Sequence, residues 1–512
     1  MSARNLPGRP DLEHLKRQAK ALRQAFLEGD AEAVARVQAV VGAKADLKLT
    51  EAQRVIAREY GFRSWAQLRA HVAGSRGVGD AVDGFLRLVL AGEGSGALSV
   101  LEAEPRIVEA SVHVAAVLGL ETAVRRHVAG DPAVVNSRSG TPSGEPLLWL
   151  CYSPFHGESA DRDDGLAAVA RVLLDAGADP NTKDGHYHVP ALYAVTGVRN
   201  VPRIARMLLE AGASPTDGES VFHAAERFHE ESLELLLEYG VDLNFTGDWG
   251  NTALHFLLNW WDVASDGRVE EGLRWLLDHG ADPDVRSGRE QESALHAAAR
   301  RGQQPEIVRL LIRHGADVDA RRADGRTAWL LAMRGGFDAV AAVLAEAGAV
   351  PEMLSPADTL LAVCGRGDTA GASRIASTDT VASLEPADLR LLPEAASRGR
   401  FDVVSACLAA GFPVDTTDAS GASALHHAAI RGRAPIVREL LRRGADFRIR
   451  DTEHTASPLG WACFGADIGF EADGVYEASV RALLDAGARL SAEDHVPAHA
   501  GVLDVLRSVA DR

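Results

Sequence analysis

Cysteine, lysine and aromatic residues are scarce in this 512-residue chain, which has four cysteines, five lysines and 5% Phe, Trp and Tyr. The cysteines are far apart and form no Cys-x-x-Cys pair, so we expect neither disulfides nor zinc. No stretch free of Asp, Glu, Lys and Arg exceeds the fourteen residues 185–198, too few for the roughly 20 apolar residues of a membrane helix. The first thirty residues are charged throughout and have no signal-peptide core. These absences predict a cytoplasmic protein with no membrane contact.

Charge is distributed unevenly along an acidic chain. The 54 Lys and Arg against 72 Asp and Glu give a formal net charge of -18. Residues 1–76 contain 14 basic and 8 acidic side chains, a net +6, which leaves 40 basic and 64 acidic, a net -24, for the remainder. We therefore treat residues 1–76 as a separate amino-terminal domain. The acidic remainder makes nucleic acid an unlikely ligand, because it would repel a polyanion.

One phrase recurs along the chain: an apolar helix that ends in Gly and a short loop, as in the Leu-Leu-Asp-Ala-Gly-Ala-Asp-Pro that ends at Pro180. Successive glycines are 28 to 43 residues apart, except for one step of 63 that corresponds to two degenerate units. Such a period indicates a repeat architecture. The glycines are Gly177, Gly212, Gly240, Gly280, Gly315, Gly348, Gly411, Gly444 and Gly487.

A second phrase opens a short helix upstream of most of these glycines. Its clearest copies, at 252–255, 293–296 and 423–426, read hydroxyl residue, Ala, Leu, His. A longer helix follows, with apolar residues at spacings of three and four. Each unit is then a helix, a turn, a helix and a loop, and so short a pair cannot bury its apolar face alone. We predict an all-α solenoid of stacked units over residues 80–512.

These units resemble ankyrin repeats, whose pattern Asp-x-x-Gly-x-Thr-Pro-Leu-His, then Ala-Ala, then Gly-Ala-Asp is matched well at 248–283, 291–318 and 420–447. The resemblance covers roughly residues 80–512, or about eleven or twelve units, of which 80–110 and 355–385 are degenerate. It implies a concave face, lined by first helices and loop fingers, that binds another protein. A helix near 501–509 would cover the end of the array.

The resemblance also implies roles for the hydroxyl and histidine residues of the second phrase. In the family the hydroxyl begins the first helix and bonds to the histidine, which ties adjacent loops together. A hydroxyl at a helix start satisfies free backbone amides without any ligand. We therefore expect structural rather than catalytic histidines, and no metal site. This repeat signature comprises Thr252 with His255, Ser293 with His296, and Ser423 with His426.

Arg-Gly recurs at the ends of the first helices, at steps of 33, 32, 32 and 33 residues. Because packed helices lie roughly 8 to 10 Å apart, stacking would place five guanidinium groups in a row, able to bind an acidic peptide, an acidic protein surface or a phosphorylated segment. The same residues also suit a helix end, with Gly as the left-handed cap and Arg favoured by the helix dipole, and Arg is common at this position in ankyrin repeats. The Arg row comprises Arg301, Arg334, Arg366, Arg398 and Arg431.

Three units are stretched between their first and second helices, at 152–166, 259–270 and 464–478, and all three insertions are acidic. Trp260 opens the middle one, and Trp249 precedes the same first helix. Exposed Trp residues suggest a contact hot spot, so both join the candidate partner-binding residues. The neighbouring Trp261 could instead fold back as local core.

The amino-terminal domain is predicted to contain four short helices. The first runs from residue 12 to a stop at Gly29, and the second begins at Asp30. Capping-box patterns at Thr50 and Ser64 predict helices from near 51 and 65, and a glycine-rich linker at 74–79 would lead into the array. The domain resembles a leader that precedes ankyrin repeats in many bacterial proteins, which indicates a bacterial source.

Part of this leader also resembles the helix-turn-helix of AraC-type regulators, sharing Ile-Ala-x-x-x-Gly-Phe-x-Ser over residues 56–64. The alternative function is therefore a transcriptional regulator that binds DNA through 51–73. Gln67, Arg69 or His71 would then contact bases and Arg63 a phosphate. Trp65 would need a solvated position or a packing partner of its own.

No phrase in the sequence carries catalytic chemistry. It has no Gly-rich phosphate loop, no Ser or Cys nucleophile phrase and no ligand cluster. We therefore predict a non-catalytic scaffold that binds a protein or peptide partner, with no cofactor and no metal, and we expect it to be a monomer.

Overall fold

The computed structural model is helical throughout the residues that it describes, with no strand among them and only isolated bridges between extended segments. The predicted all-α fold is confirmed. Within those residues, none of the helices combines the length and the apolar character needed to cross a membrane. The described residues are 12–44, 46–247, 250–260, 268–470, 475–491 and 493–510.

The chain divides into two compact units, which are described separately. Unit 1 runs up to Ala224 and includes Phe228–Asp242, while unit 2 comprises Ala225–Arg227 and the chain from Leu243 onwards. Unit 1 begins with four helices: α1 (Leu12–Leu27), α2 (Ala31–Val41), α3 (Leu49–Glu59) and α4 (Trp65–Leu90).

These four helices enclose a core of their own. Val37, Leu47, Ile56 and Leu68 are fully buried in it. Asp30 begins α2 as predicted, its carboxylate accepting the backbone N–H of Ala33 at 2.8 Å. The amphipathic spacing of the sequence thus accounts for the leader core.

Two boundaries in the leader differ from the prediction. Helix α3 begins at Leu49, before Thr50, because Glu51 reaches back to accept the N–H of Lys48 at 2.9 Å. The predicted linker at 74–79 is instead part of α4, a single helix of 26 residues. Its first part buries Leu68 in the leader core, and its last part buries Phe85 in the next core. Packing at both ends therefore outweighs the cost of about 1 kcal/mol for each helical glycine.

The remainder of unit 1 consists of short helices, with a 3-10 helix at Pro132–Asn136 and a π-helix at Ala194–Val198. The residues of α13 are shared between the two units. The predicted insertion at 152–166 is partly helical, because Ser159 caps a long second helix that begins at Ala160. The α-helices are α5 (Gly94–Ala103), α6 (Ile107–Ala110), α7 (Val112–Val117), α8 (Glu121–Gly130), α9 (Pro146–Cys151), α10 (Ala160–Asp175), α11 (Ala191–Tyr193), α12 (Pro202–Glu210), α13 (Ser220–Glu226) and α14 (Glu230–Glu238).

Unit 2 is a series of helix pairs. Its helices are α15 (Ala253–Trp260), α16 (Val269–Asp278), α17 (Ala294–Arg301), α18 (Pro305–Arg313), α19 (Ala328–Arg334), α20 (Asp338–Glu346), α21 (Pro356–Gly365), α22 (Thr369–Ile375), α23 (Thr378–Ala382), α24 (Pro386–Leu389), α25 (Leu391–Ser397), α26 (Phe401–Ala409), α27 (Ala424–Ile430), α28 (Ala434–Arg442), α29 (Pro458–Ile468), α30 (Tyr476–Asp485) and α31 (Ala500–Ala510).

The first helices of unit 2 stack on one another through small residues. Helix α17 packs between α15 and α19, and α27 packs between α25 and α29. Ala298 and Ala299 are fully buried in α17. At Gly465 in α29 a Cβ atom would lie 2.0 Å from the carbonyl oxygen of Ile430 in α27. Only glycine permits this approach.

The glycines predicted to end helices share one backbone conformation, and the loops after them share a pattern of hydrogen bonds. All nine of these glycines have a φ between 80° and 102°, the left-handed conformation that ends a helix. Four residues after several of them, an Asn or Asp side chain accepts a backbone N–H of the next loop: Asn181 from Ser214 at 2.9 Å, Asn244 from Asp282 at 2.7 Å, and Asp415 from Asp446 at 2.9 Å. This ladder joins successive loops within each unit.

The degenerate segment around 355–390 departs from the repeat. Helix α22 is followed by two further short helices, α23 and α24, before the next first helix α25 begins. The last helix of the chain, α31, lies where a terminal helix was predicted and buries Val502 and Val505 in the core that extends from α21.

Candidate partner-binding surface

The hydroxyl and histidine pairs of the repeat signature are buried and hydrogen-bonded. The distance from the hydroxyl oxygen to Nδ1 of the histidine is 2.8 Å for Thr252 and His255, 2.7 Å for Ser293 and His296, and 3.0 Å for Ser423 and His426. Nε2 of His255 lies 3.0 Å from the carbonyl oxygen of Glu292, and Nε2 of His426 lies 3.3 Å from that of Ala456. Both histidines therefore join their helix to the next loop.

Burial keeps these histidines neutral. It lowers the pKa of His255, and it lowers the pKa of His296 and of His426 to about 4. A neutral ring can accept a hydrogen bond at Nδ1 and donate one at Nε2 to a carbonyl. Their chemistry is that of a structural link.

Two arginines of the predicted Arg row form ion pairs within the protein. Nε and Nη2 of Arg366 donate to the two carboxylate oxygens of Asp338, at 2.8 and 2.7 Å. Arg334 is paired with Asp358 at 3.2 Å and with Asp388, and its side chain is only 11% exposed. Burial lowers the pKa of Arg334. The expected row of solvent-facing guanidinium groups is wrong at Arg334, because a carboxylate 54 residues away in sequence covers it.

The remaining three arginines of the row also have partners within the protein. Arg301 donates to the carbonyl oxygen of Asn259. Arg398 donates through Nη1 to the carbonyl oxygen of Arg301, at 3.2 Å. The guanidinium of Arg431 lies 4.8 Å from the ring centre of Phe470, a cation–π contact. All five arginines of the row therefore contact other groups within the protein.

A cavity of about 610 Å³ lies beside these helix ends, between α17, α19, α21 and the start of α25. Six carboxylates line it, on Glu290, Glu292, Asp324, Glu385, Asp388 and Glu394. Seven guanidinium groups also line it, on Arg289, Arg300, Arg301, Arg322, Arg326, Arg334 and Arg390.

Most of these charges form one network in the wall of the cavity. Glu292 accepts hydrogen bonds from Arg300 and Arg322. Burial opposes ionisation of Glu292, but the two arginines lower its pKa overall. Burial also opposes ionisation of Asp324, while hydrogen bonds from Arg322 and from the backbone N–H of Arg326 lower its pKa to about 2. These paired groups are part of the wall and are not free to hold a ligand.

Two cations at the cavity have no ion-pair partner among the described residues. Arg289 lies in the loop before α17 and Arg390 at the start of α25, and both are exposed. Among the residues that the structure describes, neither guanidinium has a carboxylate within ion-pair distance. Neither follows the Arg-Gly pattern, so sequence spacing could not single them out.

The tryptophans proposed as contacts lie wholly or partly outside the described residues. Trp249 lies outside the described residues, and so does the side chain of Trp260, although its backbone ends α15. Within the described residues no group of three His, Cys, Asp or Glu side chains is placed to hold a metal ion. All four cysteines are buried with free thiols.

The residues of the DNA-binding alternative lie around the start of α4. Arg63, Gln67 and Arg69 are exposed, and the side chain of His71 lies outside the described residues. Gln67 is already used locally, because its side-chain oxygen accepts the N–H of Arg63 at 3.1 Å and its N–H donates to Ser64 at 3.2 Å. Trp65 packs half-buried against the leader core, which supplies the partner that it needs.

Comparison with known proteins bears on the repeats alone. A family model described as ankyrin repeats (3 copies) matches residues 260–353 and 392–494, and one described as ankyrin repeats (many copies) matches 221–258. The chain is similar to the human ASB11 ankyrin repeat domain, whose crystal structure aligns with a TM-score of 0.36 and a sequence identity of 24%. The alignment covers 47% of this chain and 99% of that domain. No curated protein matches the chain in sequence.

Proposed function

Because ankyrin repeats occupy most of the chain from residue 221 to 494, we propose that the protein is a non-catalytic scaffold and that unit 2 binds an acidic segment of a partner protein. Ankyrin repeats generally mediate protein–protein interaction. The observation that supports the acidic specificity is the cavity at α17–α25, with Arg289 and Arg390 exposed beside it and in no ion pair with any described residue. A guanidinium fork pairs well with a carboxylate.

The cavity suits a peptide segment better than an enzyme's substrate. Its paired charges form a fixed polar wall, and none of them is a histidine or thiol with a pKa near neutrality that could transfer a proton. His255, which lines the cavity, has a lowered pKa because it is buried. Arg289 and Arg390 lie on separate elements of unit 2, so a bound segment would span both.

The proposal is tested by photo-crosslinking of the full-length protein in cell lysate. A benzophenone amino acid is placed at Glu290, which is exposed and lines the cavity, or at Arg313, which is exposed on the outer helix α18. We expect crosslinked partner at position 290 and little at 313. Equal yields at the two positions would contradict the proposed surface.

Charge removal then tests these two arginines. Arg289→Ala with Arg390→Ala should lower the crosslink yield at position 290 at least fivefold. The matched control is Arg438→Ala with Arg481→Ala, which removes two exposed guanidinium groups from the second helices α28 and α30. If the control lowers the yield as much as the cavity pair does, the effect is one of net charge and the site is misassigned.

A further inference from the structure

Residues 378–389, named here the acidic strap, lie against the arginines of the cavity. The strap contains α23 and α24 and connects two repeat units, in a stretch that neither ankyrin model matches. Glu385 contacts Arg326 at 3.1 Å, and Asp388 contacts Arg326 at 3.4 Å and also pairs with Arg334. Two carboxylates three residues apart, on one face of a helical turn, thus occupy two guanidinium groups of the proposed binding surface.

Apart from these ion pairs, the strap is held by the apolar contacts of a few side chains. Leu384 is buried, Val381 and Leu389 pack partly buried against the core, and the Asp388 side chain is 7% exposed, while seven of the twelve residues are exposed. Within the described residues, the turn and cap hydrogen bonds of the strap backbone stay inside it or reach the adjacent Ser377 and Arg390. Segments with few buried apolar contacts open at the low end of the stability range. Glu385 itself is 64% exposed, so solvent reaches its ion pair.

We propose that the acidic strap is an internal ligand that occupies Arg326 and Arg334, and that a partner with a short acidic helix displaces it. This inference rests on the proposed function. Opening the strap would remove Glu385 and Asp388 from Arg326 and Arg334, beside Arg289 and Arg390. Arg326 would keep its ion pair with Asp324 at 3.0 Å, and Arg334 its ion pair with Asp358 at 3.2 Å. The fitting partner carries two carboxylates at a spacing of three residues, as in Glu385-Pro-Ala-Asp388. A tethered segment acts at an effective concentration of ~mM, so the strap excludes weak acidic ligands.

The first test measures the strap itself by hydrogen exchange of the full-length protein. Glu385→Gln with Asp388→Asn keeps the shape of both side chains and removes their charge. We expect the amides of 378–389 to exchange at least tenfold faster, while those of α19 and α25 stay unchanged. The control, Asp379→Asn with Glu453→Gln, removes two exposed carboxylates that no arginine contacts in the described structure, and it should leave the strap unchanged.

The second test uses a fluorescent peptide with the sequence of residues 378–389. It should bind the Glu385→Gln, Asp388→Asn protein at least tenfold more tightly than the wild type or the control, because the variant strap no longer competes for the arginines. A further Arg334→Ala change should abolish that gain. Equal binding to all proteins, or strap amides as protected in the variant as in the wild type, would overturn the proposal.

A third measurement uses the wild-type protein, in case the variant does not fold. At 1 M NaCl the Debye length falls to about 3 Å, so strap amides should exchange faster relative to those of α25, and an unchanged ratio would count against the proposal. These readouts need no natural partner. If the strap opens and the peptide binds while crosslinking at position 290 fails, the proposed function is wrong and the strap remains an internal ligand of the arginines.

Discussion

Arg398 donates a hydrogen bond to the carbonyl oxygen of Arg301, 97 residues earlier in the chain. Both residues end first helices, and two other first helices, α19 and α21, lie between them in sequence. Straight stacking at roughly 8 to 10 Å for each step would separate them by more than an arginine side chain can span. The helix ends therefore converge. Arg400 shows the same convergence, because its guanidinium lies 5.9 Å from the ring centre of Phe337 and donates to the carbonyl oxygen of Gly365 at 2.8 Å.

Removing this link should destabilise unit 2. Arg398→Ala deletes a charged donor to a carbonyl, which is worth about 2 kcal/mol, so the free energy of unfolding from urea titration should fall by that amount with helical circular dichroism unchanged at zero denaturant. The control Arg438→Ala should change the free energy by no more than about 0.5 kcal/mol. A loss no larger than that of the control would show that the contact contributes nothing to stability.

Replacing glycine by alanine should change stability in opposite directions at two positions, Gly465 and Gly84. Gly465→Ala would place a Cβ atom 2.0 Å from the carbonyl oxygen of Ile430, so the backbone must shift, at a cost of about 3 kcal/mol. Gly84 lies in α4 with nothing within 4 Å of an added Cβ, and Gly84→Ala should stabilise the protein by about 0.5 to 1 kcal/mol. Thermal unfolding of the two variants measures both, and a neutral Gly465→Ala would mean that the helices lie farther apart.

Acid should destabilise the protein through the buried histidines. The pKa of His296 and of His426 is about 4 in the folded protein and about 6.5 in an unfolded chain. The unfolded state therefore binds protons first, and stability falls as pH drops through 6.5 towards 4. Each of these histidines should lower the free energy of unfolding by about 2 kcal/mol between pH 7.5 and pH 5, as measured by urea unfolding at each pH.

The variant His426→Gln separates this effect from general acid unfolding. It should be less stable than the wild type at pH 7.5, because it loses the link to Ala456, yet its stability should depend less steeply on pH between 7.5 and 5. In that pH window the carboxylates whose pKa is lowered, such as Asp324 with a pKa of about 2, do not titrate. A slope equal to that of the wild type would mean that His426 is not protonated on unfolding.

The leader should not bind duplex DNA. Gln67 is engaged at the start of α4 and Trp65 packs on the leader core, so we expect no change in the fluorescence anisotropy of a labelled duplex at micromolar protein and 50 mM salt. Binding that weakens with salt and is lost in Arg63→Ala with Arg69→Ala would favour the transcriptional alternative instead. Arg438→Ala with Arg481→Ala is the charge control.

Local patterns predicted the architecture well. The hydroxyl of Ser293 begins a helix and a glycine such as Gly315 ends the next one, because both act on backbone groups within a few residues. The prediction of a linker at 74–79, which rested on local composition, was wrong. The glycines of this segment favour a break, but α4 contributes to two cores, and that packing lies outside any short window of sequence.

The candidate binding surface was harder to predict from the sequence than the fold. The Arg-Gly pattern singled out Arg334 and Arg366, yet the structure pairs them with Asp388 and Asp338. Among the described residues, the cavity arginines outside any ion pair include Arg289 and Arg390, which no repeat position distinguishes.

The sequence by itself determined the helical repeat, its period and its structural histidines, since these follow from backbone capping and apolar spacing inside some thirty-five residues. Tertiary structure alone decided which arginines are paired with carboxylates inside the protein. The reason is that an ion pair depends on distance through space, and the carboxylates that neutralise these arginines lie on other helices, as far away in sequence as Asp388 from Arg334.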